Sequence, residues 1–342
     1  MIQYTELKNT ERKNLRDIIP LKKPFTLLIE PSSVCNFRCK MCFQNAAEEK
    51  FDPRRNIMTL DMFQKVIDQA KQWDGDKFRV LKLCIYGEPF INKDFTKMVG
   101  IAKKADIADR IETTSNASLL NPDVSRLLVE SGLDYLRVSI YSAIPAEHER
   151  ITGSKISMQQ VYDNLRALKE IKKEMSSHTP FVAAKMLDTF DDSENSLFIE
   201  TYKTVADEVY IDEPHNWVEI GNEDFIGRLY GEKRNEIKLS VNQGRKVCPM
   251  PFTTLAVRSD GSVSPCCNDW YGGTNVGSIF EETLEEIWNG KPMYEFLRMQ
   301  LEERNHENVS CRGCSVYKSS YYARDDIDGL PVSQLGKWVG DK

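Results

Sequence analysis

The stretch Cys35–Cys42 reads Cys-Asn-Phe-Arg-Cys-Lys-Met-Cys, so that Cys35, Cys39 and Cys42 bring three thiols into eight residues. It follows an apolar run, Phe25–Ile29, that is typical of a buried strand. A strand leading into this loop places soft metal ligands at the carboxyl end of a sheet, and thiolates select zinc, iron–sulfur clusters or cuprous copper. Three thiolates leave one iron of a four-iron cubane without a protein ligand. The alternatives are a structural zinc knuckle with a distant fourth ligand, or buried free thiols, although zinc sites usually pair one Cys-x-x-Cys with another.

The composition of the whole chain indicates what general class of protein it is. Its 342 residues, 41% hydrophobic and 29% charged, suffice for one large globular core or for two domains. No apolar run is long enough to cross a bilayer, and the first residues lack the apolar core of a signal peptide, so we expect a cytoplasmic protein. Nine cysteines without an export signal favour metal binding over disulfides. A net charge of −6 makes nucleic acid a poor default partner.

From Pro24 onwards, strand-like and helix-like runs alternate, which predicts βαβ units and a parallel sheet. The strand-like runs are Phe25–Ile29, Phe78–Ile85, Arg110–Thr114, Tyr135–Ile140, Phe181–Met186 and Glu208–Ile211. The helix-like runs are Leu60–Trp73, Phe95–Ala105, Pro122–Ser131, Met158–Met175 and Ser193–Val205. Six such units fit an α/β fold of the partial (β/α)6 barrel type. An open Rossmann-like sheet is the alternative, but no G-x-G-x-x-G follows the first strand.

Unusual polar residues follow the predicted strands one after another. In a barrel of parallel strands the chemistry gathers at the carboxyl ends of the strands, so these residues predict one functional face. After the cysteine loop they are Tyr86-Gly87-Glu88-Pro89, Ser115-Asn116-Ala117, Ser139-Ile140-Tyr141-Ser142, Lys185, and Asp212-Glu213-Pro214-His215-Asn216-Trp217.

The spacing C-x3-C-x2-C resembles the signature of the radical S-adenosylmethionine (SAM) superfamily. The resemblance implies a partial barrel and a 4Fe–4S cluster whose open iron chelates SAM. One electron, from a flavodoxin- or ferredoxin-type donor, then releases a 5′-deoxyadenosyl radical. The family usually has an aromatic residue before the third cysteine. Here Met41 stands there with Phe43 just after the cysteine, and a methionine can also pack on adenine.

Two further segments resemble SAM-binding segments of this family. Gly87-Glu88-Pro89 resembles its G-G-E segment, which implies that Glu88 holds the methionine amino group. Ser115-Asn116 resembles its third-strand segment, which reaches the ribose or carboxylate of SAM. Ser139 and Arg150 are weaker candidates for the same ligand. An exposed helix arginine is the alternative for Arg150.

A second set of cysteines lies near the end of the chain. Cys248, Cys266, Cys311 and Cys314 supply four thiols, enough for a fully ligated cubane, although a structural zinc ribbon is the alternative. The Asp260-Gly261 pair predicts a hairpin that leads to Pro265-Cys266-Cys267-Asn268-Asp269.

This layout resembles the SPASM and twitch modules appended to radical SAM enzymes. A full SPASM module carries seven cysteines. This chain has five after the barrel, so the resemblance implies the shorter, twitch-like form with one auxiliary cluster, a small α+β domain. Cys266 is then the better ligand, because it directly follows the hairpin proline. Cys267 is a neighbouring thiol, either packed or able to donate a hydrogen atom.

The predicted boundaries are an N-terminal arm (1–23), the barrel (24–217), a linker (218–247), the auxiliary-cluster domain (248–320) and a C-terminal tail (321–342). The arm is too short for a domain that binds a leader peptide, which favours a small substrate over a peptide.

Three functional classes follow from these features. The first is an oxidoreductase that acts on a small polar molecule such as a sugar or aminocyclitol, with the auxiliary cluster accepting an electron. The second is a peptide- or protein-modifying enzyme, and a non-enzymatic iron–sulfur scaffold is the third. A sugar epimerase with Cys267 or Cys84 as hydrogen donor is a variant of the first. The candidate acid–base residues are Tyr86, Tyr141, Lys185, Asp212, Glu213 and His215.

Overall fold

The protein is described by a computed structural model. The described residues are 13–42, 44, 55–214, 219–220, 223–231, 244–269, 272–318 and 325–336, with only the backbone given for 219–220 and 223–225. Phe43, His215, Asn216 and Trp217, which the sequence analysis singles out, lie outside these residues.

One mixed sheet organises the described part of the chain, in the order β11-β10-β9-β1-β2-β3-β4-β5-β6. Strands β1 to β6 are parallel neighbours in chain order, and in the described residues β6 does not pair back with β1, so the barrel is open. The barrel strands are Thr26–Ile29 (β1), Val80–Lys82 (β2), Ile111–Ser115 (β3), Tyr135–Ser139 (β4), Phe181–Leu187 (β5) and Glu208–Asp212 (β6). This confirms the predicted α/β partial barrel and rules out the Rossmann-like alternative order.

Helices cross between successive strands and cover the outside of the sheet. Most of them begin where the sequence offers a cap: Thr59, Asn121 and Ser157 each accept a hydrogen bond from a backbone N–H of the first helical turn. Helix α3 ends at Gly132, whose φ of 78° is left-handed. The barrel helices are Leu60–Gln72 (α1), Phe95–Ala105 (α2), Pro122–Ser131 (α3), Pro145–Thr152 (α4), Met158–Glu174 (α5) and Asp192–Tyr202 (α6).

The core lies between the sheet and these helices. In β3 the residues Ile111, Thr113 and Ser115 are buried, whereas Glu112 and Thr114 alternate with them and contact Lys82 and Arg137 of the neighbouring strands. Polar and charged side chains therefore line the inside of the barrel, and apolar ones hold the outer layer.

The sequence predictions need three corrections in this region. The second strand is shorter than the predicted Phe78–Ile85, because Phe78 forms only an isolated bridge with Ala108 and the chain turns away from the sheet after the N–H of Leu83 donates to the Glu112 carbonyl. Helix α4 was not predicted, since its eight mostly polar residues show little apolar periodicity. The predicted linker contains a two-stranded hairpin, Glu219–Ile220 (β7) and Glu223–Asp224 (β8), and the helix Phe225–Tyr230 (α7).

The second cysteine region continues the barrel sheet. Strand β9 (Thr254–Val257) lies parallel to β1, with Leu27 opposite Leu255, and β10 (Ser262–Ser264) returns antiparallel to it. The turn uses Gly261, whose φ of 86° suits glycine, as the Asp-Gly pair predicted. The remaining elements are Gly277–Ser278 (β11), Leu284–Trp288 (α8), Lys291–Leu301 (α9) and Val309–Arg312 (α10).

Both predicted terminal segments pack on this body where they are described. In the arm, Leu15 and Ile19 are buried, and the carbonyl of Leu21 accepts a hydrogen bond from the Trp288 indole at 2.9 Å. Asp328 of the tail accepts hydrogen bonds from the backbone of Lys246 and Val247. In the described part of the chain, no helix is long and apolar enough to cross a membrane.

Candidate active site

The three-cysteine loop leaves β1 and is held from below by helix α4. The backbone N–H groups of Arg38 and Lys40 donate to the carbonyls of Thr152 and Ile151, both at 2.8 Å. These carbonyls belong to the last turn of α4, where no intrahelical donor reaches them. The loop therefore supplies the hydrogen-bond donors that the end of the helix lacks. The helix that the sequence analysis missed therefore supports the loop that carries the thiols.

Aromatic packing fixes the middle of the same loop. The Phe37 ring is buried, 5.8 Å from the ring of Tyr141 and 6.1 Å from that of His148. Cys35, Cys39 and Cys42 of this loop all line one cavity. Burial raises the pKa of Cys35 to about 11 and that of Cys42 to about 12, so these thiols stay protonated until a metal displaces their protons.

A cavity of about 290 Å³ opens above the loop at the carboxyl ends of the strands, and we call it the barrel cavity. Its walls come from the first four strands and from the start of the auxiliary region. It is lined by Cys35, Phe37, Cys39, Met41, Cys42, Ile85, Tyr86, Gly87, Glu88, Thr114, Ser115, Asn116, Ser139, Tyr141, Cys267 and Asn268. The part of the predicted functional face that follows the first four strands is thus one continuous space.

Among the described residues, Glu88 is the only carboxylate that lines this cavity, and it is 2% exposed. Its oxygens accept hydrogen bonds from the Ser115 hydroxyl at 2.7 Å and from the Asn116 N–H at 2.8 Å. Burial nevertheless raises the pKa of Glu88 to about 7, against the lowering effect of these hydrogen bonds. A cation in the cavity would favour its ionised form, and the amino group that the resemblance assigns to Glu88 is such a cation.

A side-chain network joins the third strand to the cysteine loop. Asn116 donates to the Asn36 side-chain oxygen at 3.0 Å, Asn36 donates to the Ser118 hydroxyl at 2.8 Å, and Ser118 donates back to Asn116 at 2.6 Å. Asn36 lies between the first two cysteines, so this ring of contacts fixes the loop relative to Ser115 and Asn116.

Gly87 allows two chain segments to approach each other closely. A Cβ atom at this position would lie 2.3 Å from the Ser32 carbonyl oxygen and 2.5 Å from that of Val34. The N–H of Glu88 donates to the same Val34 carbonyl at 2.9 Å. Only glycine therefore fits where the chain after β2 passes the chain after β1.

The structure brings most of the predicted SAM-binding residues together. Met41, Gly87, Glu88, Ser115, Asn116 and Ser139 all line the barrel cavity, as do Tyr86 and Tyr141. Arg150 does not: its guanidinium forms an ion pair with Glu147 of the same helix and donates to the carbonyl of Leu229 at 3.2 Å. The alternative of a surface helix arginine describes it better.

Lys185 does not line the cavity either but lies one strand position away from it. It pairs across the sheet with Ser139, and its ammonium nitrogen is 2.7 Å from the Asp212 carboxylate. Burial lowers the pKa of Lys185, and the nearby Arg137 lowers it further, while Asp212 opposes both. Glu213 follows Asp212 at the end of β6, and His215 lies outside the described residues.

The second set of thiols lines a separate space, the auxiliary cavity. It is lined by Cys248, Met250, Pro251, Pro265, Cys266, Asn268, Asp269, Thr274, Phe296, Gln300, Asn305, Ser310, Cys311, Cys314, Val316 and Tyr317. All four predicted auxiliary ligands are in this set, and they come from segments far apart in sequence. In the described residues no three Cys, His, Asp or Glu side chains converge on one metal ion. A cubane instead takes one thiolate per iron, so its ligands surround it rather than meet at a point.

Cys266 and Cys267 stand on opposite sides of the wall between the two cavities. Cys266 lines the auxiliary cavity and Cys267 lines the barrel cavity, while Asn268 lines both. The Cys266 thiol is 3.2 Å from the Met250 sulfur and the Cys267 thiol is 3.8 Å from it. This favours Cys266 as the auxiliary ligand.

These donor sets fit the cofactors that the resemblance implies. Three thiols beside a buried carboxylate and a set of amide and hydroxyl groups suit a cluster with an open iron and SAM. Four thiols around a separate cavity suit a fully ligated cubane.

The comparison with protein families agrees with this arrangement. The model of the radical SAM superfamily matches residues 29–183, and that of the SPASM iron–sulfur cluster-binding domain matches residues 248–315. Together they match well over half of the chain, which belongs to the radical SAM superfamily and carries a SPASM domain. The protein therefore binds SAM and iron–sulfur clusters, one in the barrel domain and an auxiliary complement in the SPASM domain.

Individual relatives are more distant. The chain is 25% identical, over 352 aligned residues and 91% of both proteins, to a tungsten-containing aldehyde ferredoxin oxidoreductase cofactor-modifying protein of Pyrococcus furiosus. The structure of BtrN in complex with AdoMet and 2-DOIA is 18% identical, with a TM-score of 0.54 over 84% of this chain and 92% of BtrN. The structure of Streptococcus suis SuiB bound to the precursor peptide SuiA is 16% identical, with a TM-score of 0.55 over 89% of this chain and 72% of SuiB. At these identities the structural likeness shows the fold alone.

Several residues of the site were missed by the sequence analysis. Glu30, at the end of β1, accepts hydrogen bonds from the N–H of Tyr86 at 3.3 Å and from the N–H of Ser259 at 3.0 Å. A charged residue directly after an apolar strand was a usable signal. Asn36, Ser118 and Arg258 gave no such signal, because their partners are distant in sequence.

Proposed function

We propose that the chain is a radical SAM oxidoreductase that oxidises a small polar, sugar- or aminocyclitol-like substrate, with one auxiliary 4Fe–4S cluster as electron acceptor. The observation that carries this proposal is the wall shared by the two cavities. Asn268 lines both of them, and the adjacent Cys266 and Cys267 face one cavity each. An acceptor in the auxiliary cavity would therefore be separated from a substrate in the barrel cavity by this wall.

The bound cofactors would supply hydrogen abstraction, through the 5′-deoxyadenosyl radical, and an acceptor for the second electron. Four protein thiolates leave the auxiliary cluster no open iron with which to grip a substrate, which suits it to electron transfer. The protein must then hold the substrate carbon against SAM and remove a proton.

The proton-removing group is best sought in the Lys185–Asp212 pair. Burial raises the pKa of both Tyr86 and Tyr141 well above the usual value, so these phenols keep their protons and are poorly suited to take one from the substrate. Lys185 has its pKa shifted towards the neutral base, and its strand partner Ser139 lines the cavity. Glu213, which directly follows β6, and His215, which lies outside the described residues, stay as further candidates.

A small substrate is supported by the named activity of one relative. The Pyrococcus furiosus protein aligns over nearly its whole length, and its name says that it modifies a cofactor. The structure bound to 2-DOIA shares the fold. We propose further that the first cluster receives its electron from a flavodoxin or ferredoxin.

The test uses SAM, a reductant and substrates deuterated at the carbinol carbon. The proposal expects one SAM consumed per product, deuterium in 5′-deoxyadenosine, and a product oxidised by two electrons. A product of unchanged oxidation state with one solvent-derived hydrogen would replace the dehydrogenase by the epimerase, with Cys267 or Cys84 as donor. Of these two thiols, Cys267 lines the barrel cavity and Cys84 does not.

A peptide- or protein-modifying enzyme is the second candidate. It is favoured by the likeness to SuiB bound to its precursor peptide. Substrate-dependent formation of 5′-deoxyadenosine with a peptide, and none with small polar alcohols, would select this candidate.

A further inference from the structure

Arg258 lies in the wall between the two cavities. It directly follows β9, and it is only 5% exposed. Its guanidinium makes contacts in both directions, towards Tyr86 of the barrel cavity and towards Asp269 of the auxiliary cavity. A buried arginine that is held from two sides adopts one position, because its planar fork has few ways to satisfy both partners.

On the auxiliary side, Arg258 forms a buried ion pair with Asp269. One guanidinium nitrogen donates to the Asp269 carboxylate at 3.2 Å and also to its backbone carbonyl. The Nε of Arg258 donates to the Ser264 hydroxyl at 3.2 Å, and Ser264 donates to the same carboxylate at 3.1 Å. The pair is therefore tied at two points to the hairpin that carries Cys266.

The Asp269 carboxylate in turn holds the segment that carries two other ligands. The Ser310 hydroxyl donates to it, and Ser310 directly precedes Cys311. The N–H of Gly273 and the N–H of Thr274 also donate to Asp269, at 3.0 Å and 3.1 Å. Asp269 is 3% exposed and lines the auxiliary cavity. Its negative charge is thus fixed beside the cluster ligands, and Arg258 is the cation that compensates it.

On the barrel side, Arg258 reaches the residue that precedes the SAM-binding glycine. It donates to the Tyr86 hydroxyl at 2.9 Å, and its guanidinium carbon lies 5.1 Å from the centre of the Tyr86 ring. The N–H of Tyr86 is held by Glu30. The arginine therefore connects the two cavities through direct side-chain contacts.

We propose that Arg258 is a positioning residue that sets the reduction potential of the auxiliary cluster through its buried ion pair with Asp269. A reduced cluster carries more negative charge than an oxidised one, so a nearby cation stabilises it and a nearby uncompensated carboxylate destabilises it. These effects are large in a buried site, where the effective dielectric constant is low. The proposal rests on the auxiliary cluster alone and not on the oxidoreductase function.

The test measures the midpoint potential of the auxiliary cluster by EPR-monitored redox titration. The background protein has Cys35, Cys39 and Cys42 replaced by alanine, so that the first cluster does not contribute. Arg258→Gln should shift the potential to more negative values, because Asp269 is left without its cation. The double variant Arg258→Gln with Asp269→Asn should return most of the shift. Arg150→Gln is the matched control and should leave the potential unchanged, since the ion pair of Arg150 with Glu147 lines neither cavity.

The proposal would be overturned if Arg258→Gln and the double variant, both with iron retained, shifted the midpoint potential equally. It would also be overturned if neither variant shifted it. Should Arg258→Gln lose the auxiliary iron, Asp269→Asn and Arg258→Lys decide the question. Asp269→Asn should raise the midpoint potential, because the positive charge of Arg258 is then no longer balanced by a carboxylate. Arg258→Lys keeps the positive charge and should leave the potential near that of the parent. A potential that Asp269→Asn does not move is incompatible with the electrostatic role. Because none of these readouts involves a substrate, failure here leaves the proposed reaction untouched.

Discussion

At the scale of single residues, the ionisation of Glu88 should make SAM binding depend on pH. Burial raises its pKa to about 7, so its ionised fraction falls about tenfold between about pH 8 and about pH 6. If its carboxylate binds the amino group of SAM, the affinity for SAM should fall by up to about tenfold over this interval. Equilibrium dialysis with labelled SAM on the anaerobic enzyme measures it.

The matched control for this prediction is Glu88→Gln, which keeps the shape and cannot ionise. Its affinity for SAM should be low and nearly independent of pH over the same interval. A parent protein with a flat profile, or a variant with the parent's profile, would mean that another group causes the pH dependence.

Gly87 gives a steric prediction at the same scale. In Gly87→Ala the new methyl group meets two backbone carbonyls at 2.3 Å and 2.5 Å, which cannot move away as a flexible side chain could. Overpacking of this kind costs about 1–3 kcal/mol, and here it also displaces Glu88. Thermal unfolding should occur at a lower temperature, and SAM binding should weaken.

Gly100→Ala is the control for this variant, since no atom other than the backbone of its own helix and its chain neighbours lies within 4 Å of the added methyl group. Gly100 lies within helix α2, where alanine is favoured by about 0.5–1 kcal/mol. This variant should be slightly stabilised and should bind SAM normally. Similar behaviour of the two variants would contradict the steric account.

Single residues also show how far the sequence alone could lead. The grouping of the seven candidate ligand cysteines around two cavities was predictable, because ligands of a cluster recur at short, fixed spacings or follow turn signals such as Asp260-Gly261. The ion pair Arg258–Asp269 and the contacts of Glu30 were not, since each depends on which strands become neighbours. Phe43 and His215 stay predictions.

At the scale of elements, helix α4 matters more than its length suggests. Gly153 ends it with a φ of 58°, and a Cβ there would lie 3.1 Å from the Arg38 carbonyl oxygen. Gly153→Ala should therefore strain the helix end by about 1 kcal/mol and push on the cysteine loop. We expect weaker retention of the first cluster, with the auxiliary cluster intact. Iron analysis after reconstitution, with and without a brief chelator challenge, measures this loss.

Gly329→Ala is the matched control, because Gly329 has a φ of 74° with open space around it. It carries a similar backbone strain in the C-terminal tail, outside the loop, and should keep the first cluster. Equal iron loss in the two variants would show that general destabilisation, not the contact with Arg38, is responsible.

The elements that the sequence predicted well are those with local signals. Helices α2 and α3 have the predicted bounds, since a cap or a left-handed terminator marks their ends. Helix α4 was not predicted, because its main contact is with the cysteine loop. That contact leaves no apolar periodicity in the eight residues of the helix.

At the scale of the whole molecule, the barrel and the SPASM region share one sheet. Strand β9 pairs with β1 over four residues, all of them buried on β9, so the auxiliary region completes the edge of the barrel beside the cysteine loop. The sequence predicted two successive domains because it shows the order of elements but not their pairing. The shared sheet keeps the two cavities side by side.

This adjacency calls for a test of whether the two sites nevertheless have separate roles. The donor sets predict about eight irons per reconstituted chain, and replacement of Cys35, Cys39 and Cys42 by alanine should leave about half of them. SAM cleavage without substrate, followed as 5′-deoxyadenosine formed with dithionite, should vanish in Cys39→Ala, because Cys39 belongs to the loop below the barrel cavity. It should persist in Cys311→Ala, whose thiol lines only the auxiliary cavity. Equal loss in both variants, in folded protein with the first cluster intact in Cys311→Ala, would mean that the auxiliary site takes part in SAM cleavage itself. Zinc in place of iron in the triple variant would remove the electron acceptor and with it the proposed oxidation.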